Sequence, residues 1–255
     1  MAFSLFDRRR RKSASPMFWD SPVRVPAKEA RSYLVAIAVA TVVLWQMPFG
    51  RTLLFPFTLL ATWFHEMGHG LMSMALGAKF ERLVILSDAS GYAQSSGSSD
   101  APGLFHALTA AAGLMGPTLA GAAMILASRS QAATRIALYA LATVLAFSTL
   151  LWVRSLVGWI VLPGLAAGIL AVAVSKWTEL RRFAIEFLGV QAAISVWRDL
   201  GYLFSEGATV EGRGGLSDTA AIADALILPY WFWGGAISLA IAIILWKALA
   251  IASRP

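Results

Sequence analysis

Thr62-Trp63-Phe64-His65-Glu66-Met67-Gly68-His69-Gly70 lies inside an apolar run of roughly Thr52–Ala78. His65 and His69 are four residues apart. On an α-helix that spacing leaves the two imidazoles about 40° apart around the axis and about 6 Å along it, so both reach one ion. Glu66 neighbours the first of them and projects beside the ion without binding it, the position of a general base for water. Zn2+ suits such a pair, because it lowers the pKa of a bound water toward about 7. The bland alternative is a pair of core histidines with a partnered glutamate. It has to meet a cost of about 2.5–3.5 kcal/mol for an ionisable group at mid-span, and groups kept at that depth are functional by default.

The rest of the 255-residue chain agrees with a bilayer as its solvent. Hydrophobic residues make up 58% and charged residues 14%, against about 45–50% and about 25% in soluble domains. This excludes a soluble enzyme, a disordered tail and a coiled coil, and predicts an all-α polytopic membrane protein. The absence of cysteine excludes a disulfide framework, a thiolate nucleophile and a Cys-based metal site.

Working outward from the motif, the second span (Thr52–Ala78) follows a first of about Tyr33–Gly50. After it, Phe80-Glu81-Arg82-Leu83-Val84-Ile85-Leu86 is strand-like and Ser95–Asp100 is rich in Ser and Gly, which predicts a short hairpin or re-entrant segment. Further spans are expected at about Leu104–Ala127, Ala133–Val153, Ser155–Val174 and Phe183–Phe204. Ser205–Ser217 reads as a Gly-rich loop, and a last helix over about Asp218–Leu249 is interrupted or bent near Pro229. Six to seven transmembrane helices result.

The net charge of +7 is uneven. Residues 1–32 carry eight cations and three acids, which predicts a basic cytoplasmic tail joined to one membrane-embedded domain over 33–252, in the plasma (inner) membrane. Beside a span, such a tail sets topology and does not call for nucleic acid. One conflict stands: with seven full crossings, Lys176, Arg181 and Arg182 fall on the side opposite the tail, against the positive-inside tendency.

Hydrolytic zinc takes three protein ligands and keeps a fourth position open. The residues after His69 do not continue into a longer histidine motif, so the third ligand is distant. His106 reads as interfacial, as do Glu186 and Asp224. Asp199 sits in an apolar run, where ligation or a structural partner would satisfy it. Asp218 follows Ser217 at a helix start, where a carboxylate favours the dipole.

The His65-Glu66-Met67-Gly68-His69 helix resembles the site-2 protease family of intramembrane zinc metallopeptidases. Gly113-Leu114-Met115-Gly116-Pro117-Thr118 is similar to that family's small-residue Gly-Pro motif. The likeness covers about residues 50–125 and implies His65 and His69 as zinc ligands and Glu66 as base. The family's Leu-Asp-Gly ligand segment has no counterpart, since Leu162-Pro163-Gly164 carries proline in its place. Trp197, Asp199, Ser217 and Asp218 instead resemble the divergent peptidase M50B-like branch, which implies Asp199 as third ligand with Asp218 in reserve.

The expected function is therefore hydrolysis of peptide bonds of membrane proteins within or near the bilayer. The expected partners are a membrane-protein or peptide substrate and lipid, with no nucleic acid. A divalent-metal transporter and a catalytically inactive partner-binding relative are the alternatives.

Overall fold

A proline and a glycine shape the start of the bundle. Helix α1 (Ala27–Gln46) ends one residue before α2 (Pro48–Ala75), and the chain turns by 117° between them. Pro48 opens α2, where its missing N–H costs nothing. Gly50 allows the corner to close, because a Cβ there would lie 2.1 Å from the Leu44 carbonyl oxygen. Arg51 Nε donates to the Trp45 carbonyl (2.9 Å), satisfying part of the end of α1. The computed structural model describes residues 27–97, 102–198, 200–210 and 212–252. Most of the expected tail, 1–26, therefore lies outside the described residues, and α1 starts six residues before the apolar run.

The strand-like stretch is a strand. β1 (Lys79–Ile85) pairs antiparallel with β2 (Gly91–Ser96), Leu83 opposite Ala93. At the turn, Ser90 donates its N–H and its hydroxyl to Asp88 Oδ1 (2.9 and 2.6 Å), which holds that carboxyl below the usual range. The hairpin lies along one stripe of α2. Thr62 Oγ1 donates to the Ala89 carbonyl (2.7 Å), the Phe80 ring covers Gly70, and the Ser73 and Ser95 hydroxyls meet at 2.6 Å. Positions 62, 66, 70 and 73 share a helix face, so Glu66 lies beneath the hairpin.

Long helices follow: α3 (Pro102–Ala127), α4 (Gln131–Leu151), α5 (Leu156–Val174) and α6 (Thr178–Arg198). Ser130 and Ser155 cap α4 and α5 by accepting from Ala133 and Gly158. Between α4 and α5, Leu83 of β1 donates to the Trp152 carbonyl (2.8 Å) and accepts from Arg154 N–H (2.9 Å). Thus β1 is engaged on both edges. Helix α6 is central, with Ile185, Leu188, Val190, Ala192 and Ala193 buried against its neighbours.

The last quarter of the chain departs from the expected loop and shows the expected interruption near Pro229. After the one-turn α7 (Leu200–Leu203), Ser205–Ser217 forms a second hairpin, β3 (Gly207–Val210) with β4 (Arg213–Leu216). Glycine-rich sequence hid the strands, because it lacks the β-branched side chains by which strands are read. The final helix is fully broken into α8 (Asp218–Ala225) and α9 (Tyr230–Ala252), with Pro229 between.

The protein is mostly helical and polytopic. Among the described residues, α3, α4, α5 and α9 are each long and apolar enough to cross a bilayer, and the bent α1–α2 pair makes a fifth if counted as one span. The count is below six to seven because α1 and α2 qualify only together. In addition, α6 carries Glu179, Arg181, Arg182 and Glu186 in its first half.

Candidate metal centre

Glycines bring α2 and α3 into contact at the motif. A Cβ on Gly68 would sit 2.3 Å from the Ala112 carbonyl oxygen, and one on Gly116 would sit 2.6 Å from that of Phe64. Gly113 leaves room for the His69 imidazole itself. The approach puts the Thr109 carbonyl 2.9 Å from His69 Nδ1, which donates to it. That bond fixes the tautomer and turns the Nε2 lone pair into the site.

Asp218 arrives from the other end of the chain. Ser217 N–H donates to the Glu206 carbonyl (3.2 Å), and its hydroxyl donates to the Ser205 carbonyl, closing the mouth of the β3–β4 hairpin. The same hydroxyl caps α8 by accepting from Ala220 N–H (3.2 Å). With capping done by Ser217, the Asp218 carboxylate is free to turn inward. Its Oδ2 lies 3.0 Å from His65 Nε2 and its Oδ1 3.4 Å from His69 Nε2, while the two Nε2 atoms are 3.0 Å apart.

These separations fit a divalent cation. Tetrahedral zinc with ligand bonds of about 2.0–2.1 Å has ligand–ligand edges of about 3.3 Å. With the His69 proton committed to Thr109, its Nε2 faces another ring nitrogen and a carboxylate as a bare acceptor. Asp218 Oδ2 is buried with no hydrogen-bond partner although His65 Nε2 is close by. Ring nitrogens and a carboxylate converging on one point, with the carboxylate making no hydrogen bond to either ring, are what a cation would satisfy. His65, His69 and Asp218 are the group of this kind among the described residues.

Glu66 is 4% exposed and interacts electrostatically with all three. The Ala93 backbone N–H also faces it, and strand pairing explains why. Leu83 spends both backbone groups on Trp152 and Arg154, so its partner Ala93 is in a non-hydrogen-bonded pair and points its own groups outward. The outer edge of β2 therefore faces Glu66. A Cβ on Gly91 of that edge would come 3.2 Å from Glu66 Cγ.

Tyr202 was not anticipated from sequence. Its hydroxyl accepts from Asp218 N–H (3.3 Å) and lies beside the Asp218 carboxylate, and its ring lies 6.4 Å from that of His65. Nothing local in Leu200-Gly201-Tyr202-Leu203 marks it, since the contact exists only once α7 and α8 fold together. Of the other expected residues, Asp199 lies outside the described residues, and Asp218, held in reserve, is the carboxylate that meets the histidines. His106 and Asp224 are exposed, and Glu186 pairs with Arg182 (2.9 Å).

Fold and site together define a polytopic membrane protein with a His-Glu-x-x-His helix beneath a β-hairpin and a distant aspartate. The chain belongs to the Peptidase M50B-like family, whose model matches residues 34–248 and so spans every site residue named above. No curated protein and no solved structure matches it.

Proposed function

We propose that this protein is an intramembrane zinc metallopeptidase that hydrolyses peptide bonds of membrane proteins within or near the bilayer. The observation that carries this reading is the convergence of His65, His69 and Asp218 at 3.0–3.4 Å with Glu66 buried alongside. His65 and His69 would hold the metal, and Asp218 takes the third position in place of Asp199. Bound zinc supplies Lewis acidity toward water and the scissile carbonyl.

The protein's own groups do the rest. Glu66 takes the proton from the attacking water and passes it to the leaving amine, so one carboxylate serves as base and then acid. The Ala93 N–H orients it, and burial keeps bulk water from competing for the proton. A helical substrate hides its carbonyls and must unwind locally before attack. Once extended, it can be held by strand addition. The edge available for this is the outer edge of β2, because β1 is engaged on both sides. An intact, positioned Glu66 favours an active enzyme over an inactive relative.

Glu66→Gln should abolish cleavage of a membrane-protein reporter while zinc content stays at the wild-type level. Cleavage by this variant at the wild-type rate refutes the reading.

A further inference from the structure

The sequence left a topological conflict, and packing removes it. Leu34 and Ile37, early in α1, pack with Ile125 near the end of α3, Val190 of α6, and Ile241 and Leu245 of α9. The Tyr33 ring meets that of Phe183 in the second turn of α6 (6.5 Å). The start of α1, the α3–α4 junction, the α5–α6 junction and the end of α9 therefore share one end of the bundle. Lys176, Arg181 and Arg182 lie on the same side as the entry of the tail.

That end is strongly basic. Among the described residues it carries Arg129, Arg135, Lys176, Arg181, Arg182 and Lys247 against Glu179 and Glu186, and the eight cations of residues 1–32 lead into it. The opposite end holds both hairpins, α8 and the starts of α3, α5 and α9, since Gly103 packs on Ala225, Gly234 on Leu203 and Leu83 on Val153. Lys79, Arg82, Arg154, Arg198 and Arg213 are there matched by Glu81, Asp88, Glu206, Asp218 and Asp224. Arg51 sits apart, at the α1–α2 corner. Exposed Trp159 and Trp231 at this end, with Trp177 and Trp246 at the basic end, mark both membrane interfaces.

The metal centre is displaced toward the end without excess charge. Thr109 and Gly113, which hold His69, are about 10–17 Å from the start of α3 and about 21–27 Å from its end at 1.5 Å per residue. Lysine and arginine bias fixes the basic end in the cytoplasm. We propose that the centre opens toward the non-cytoplasmic face. On the peptidase reading, on which this rests, its substrates are membrane proteins whose susceptible segment lies in the non-cytoplasmic half of the bilayer.

The chain contains no cysteine, so single cysteines report position without background. Ser87→Cys and Thr209→Cys place a thiol on each hairpin, and Ala132→Cys places one at the basic end, all at exposed positions. Each variant is first shown to react in detergent, then treated with a membrane-impermeant maleimide in sealed right-side-out vesicles. The hairpin thiols should label as completely as in detergent, and Ala132→Cys should lose its labelling. Hairpin thiols that label only after permeabilisation, or an Ala132→Cys that labels in sealed vesicles, overturn the orientation.

Labelling needs no turnover, so an inactive wild type with the expected pattern refutes only the peptidase reading. With activity in hand, a reporter segment in the non-cytoplasmic half should be cut. Moving that segment to the cytoplasmic half should abolish cleavage, and equal cleavage in both positions counts against the assigned substrate class.

Discussion

Gly113 stands where the His69 imidazole needs to be: a Cβ at this position would fall 2.2 Å from the ring Nε2. Helix α3 thus supports the metal centre by lacking a side chain. Gly113→Ala should push His69 out of line and lower zinc affinity at least about tenfold, with an overpacking cost of about 1–3 kcal/mol. Gly164→Ala on α5 has open space around it and serves as the control. It should leave zinc binding unchanged in a competition titration with a chromophoric chelator.

Asp218 and Asp199 separate cleanly by metal analysis. Asp218→Ala should purify with zinc substantially depleted, because two histidines alone leave the ion short of the three protein ligands usual in hydrolytic sites. Asp199→Ala should keep its zinc. The opposite result would return the third ligand to Asp199 and remove the role given to the β3–β4 hairpin.

Tyr202 grips Asp218 at its backbone N–H, with the hydroxyl beside the carboxylate. Tyr202→Phe keeps the ring and removes only this grip. Partners of metal ligands typically contribute about 10–100-fold to affinity, and a loss of that order is expected. Cobalt substitution provides a second readout, since a ligand free to rotate should alter the visible absorption bands of the bound ion. Unchanged affinity and spectrum would reduce Tyr202 to packing.

Ala93→Pro deletes the N–H that reaches Glu66 yet spares the β1–β2 ladder, because Ala93 points its backbone groups away from β1. Proline is tolerated at such an edge position. Cleavage should fall by about 10–100-fold, as for loss of a positioned acid–base group, with zinc content unchanged. Activity at the wild-type level would mean that Glu66 needs no help from the hairpin.

What could be read from sequence follows the range of the interactions involved. His65, Glu66 and His69 were legible because one helical turn fixes their relation, whatever the rest of the chain does. The β1 strand was legible from its run of Leu83, Val84 and Ile85, and the helix start at Asp218 from the residues around it. Asp218 as the partner of the histidines was not, since Asp199 lies inside one apolar run and Asp218 at a helix start, and only tertiary packing chooses between them. The reversal at Met47 was equally hidden, because hydropathy records how apolar a run is and not the direction it takes.

Ser217 fastens the ends of the β3–β4 hairpin and so presents Asp218 to histidines that belong to the first third of the chain. An ion held there acts as a rivet between segments otherwise joined only by packing. Chelation should then release the C-terminal hairpin and α8 before the helices melt, and limited proteolysis should nick Gly212–Gly215 first. The protein would come apart at its last-assembled corner, and restoring the cation would close it again.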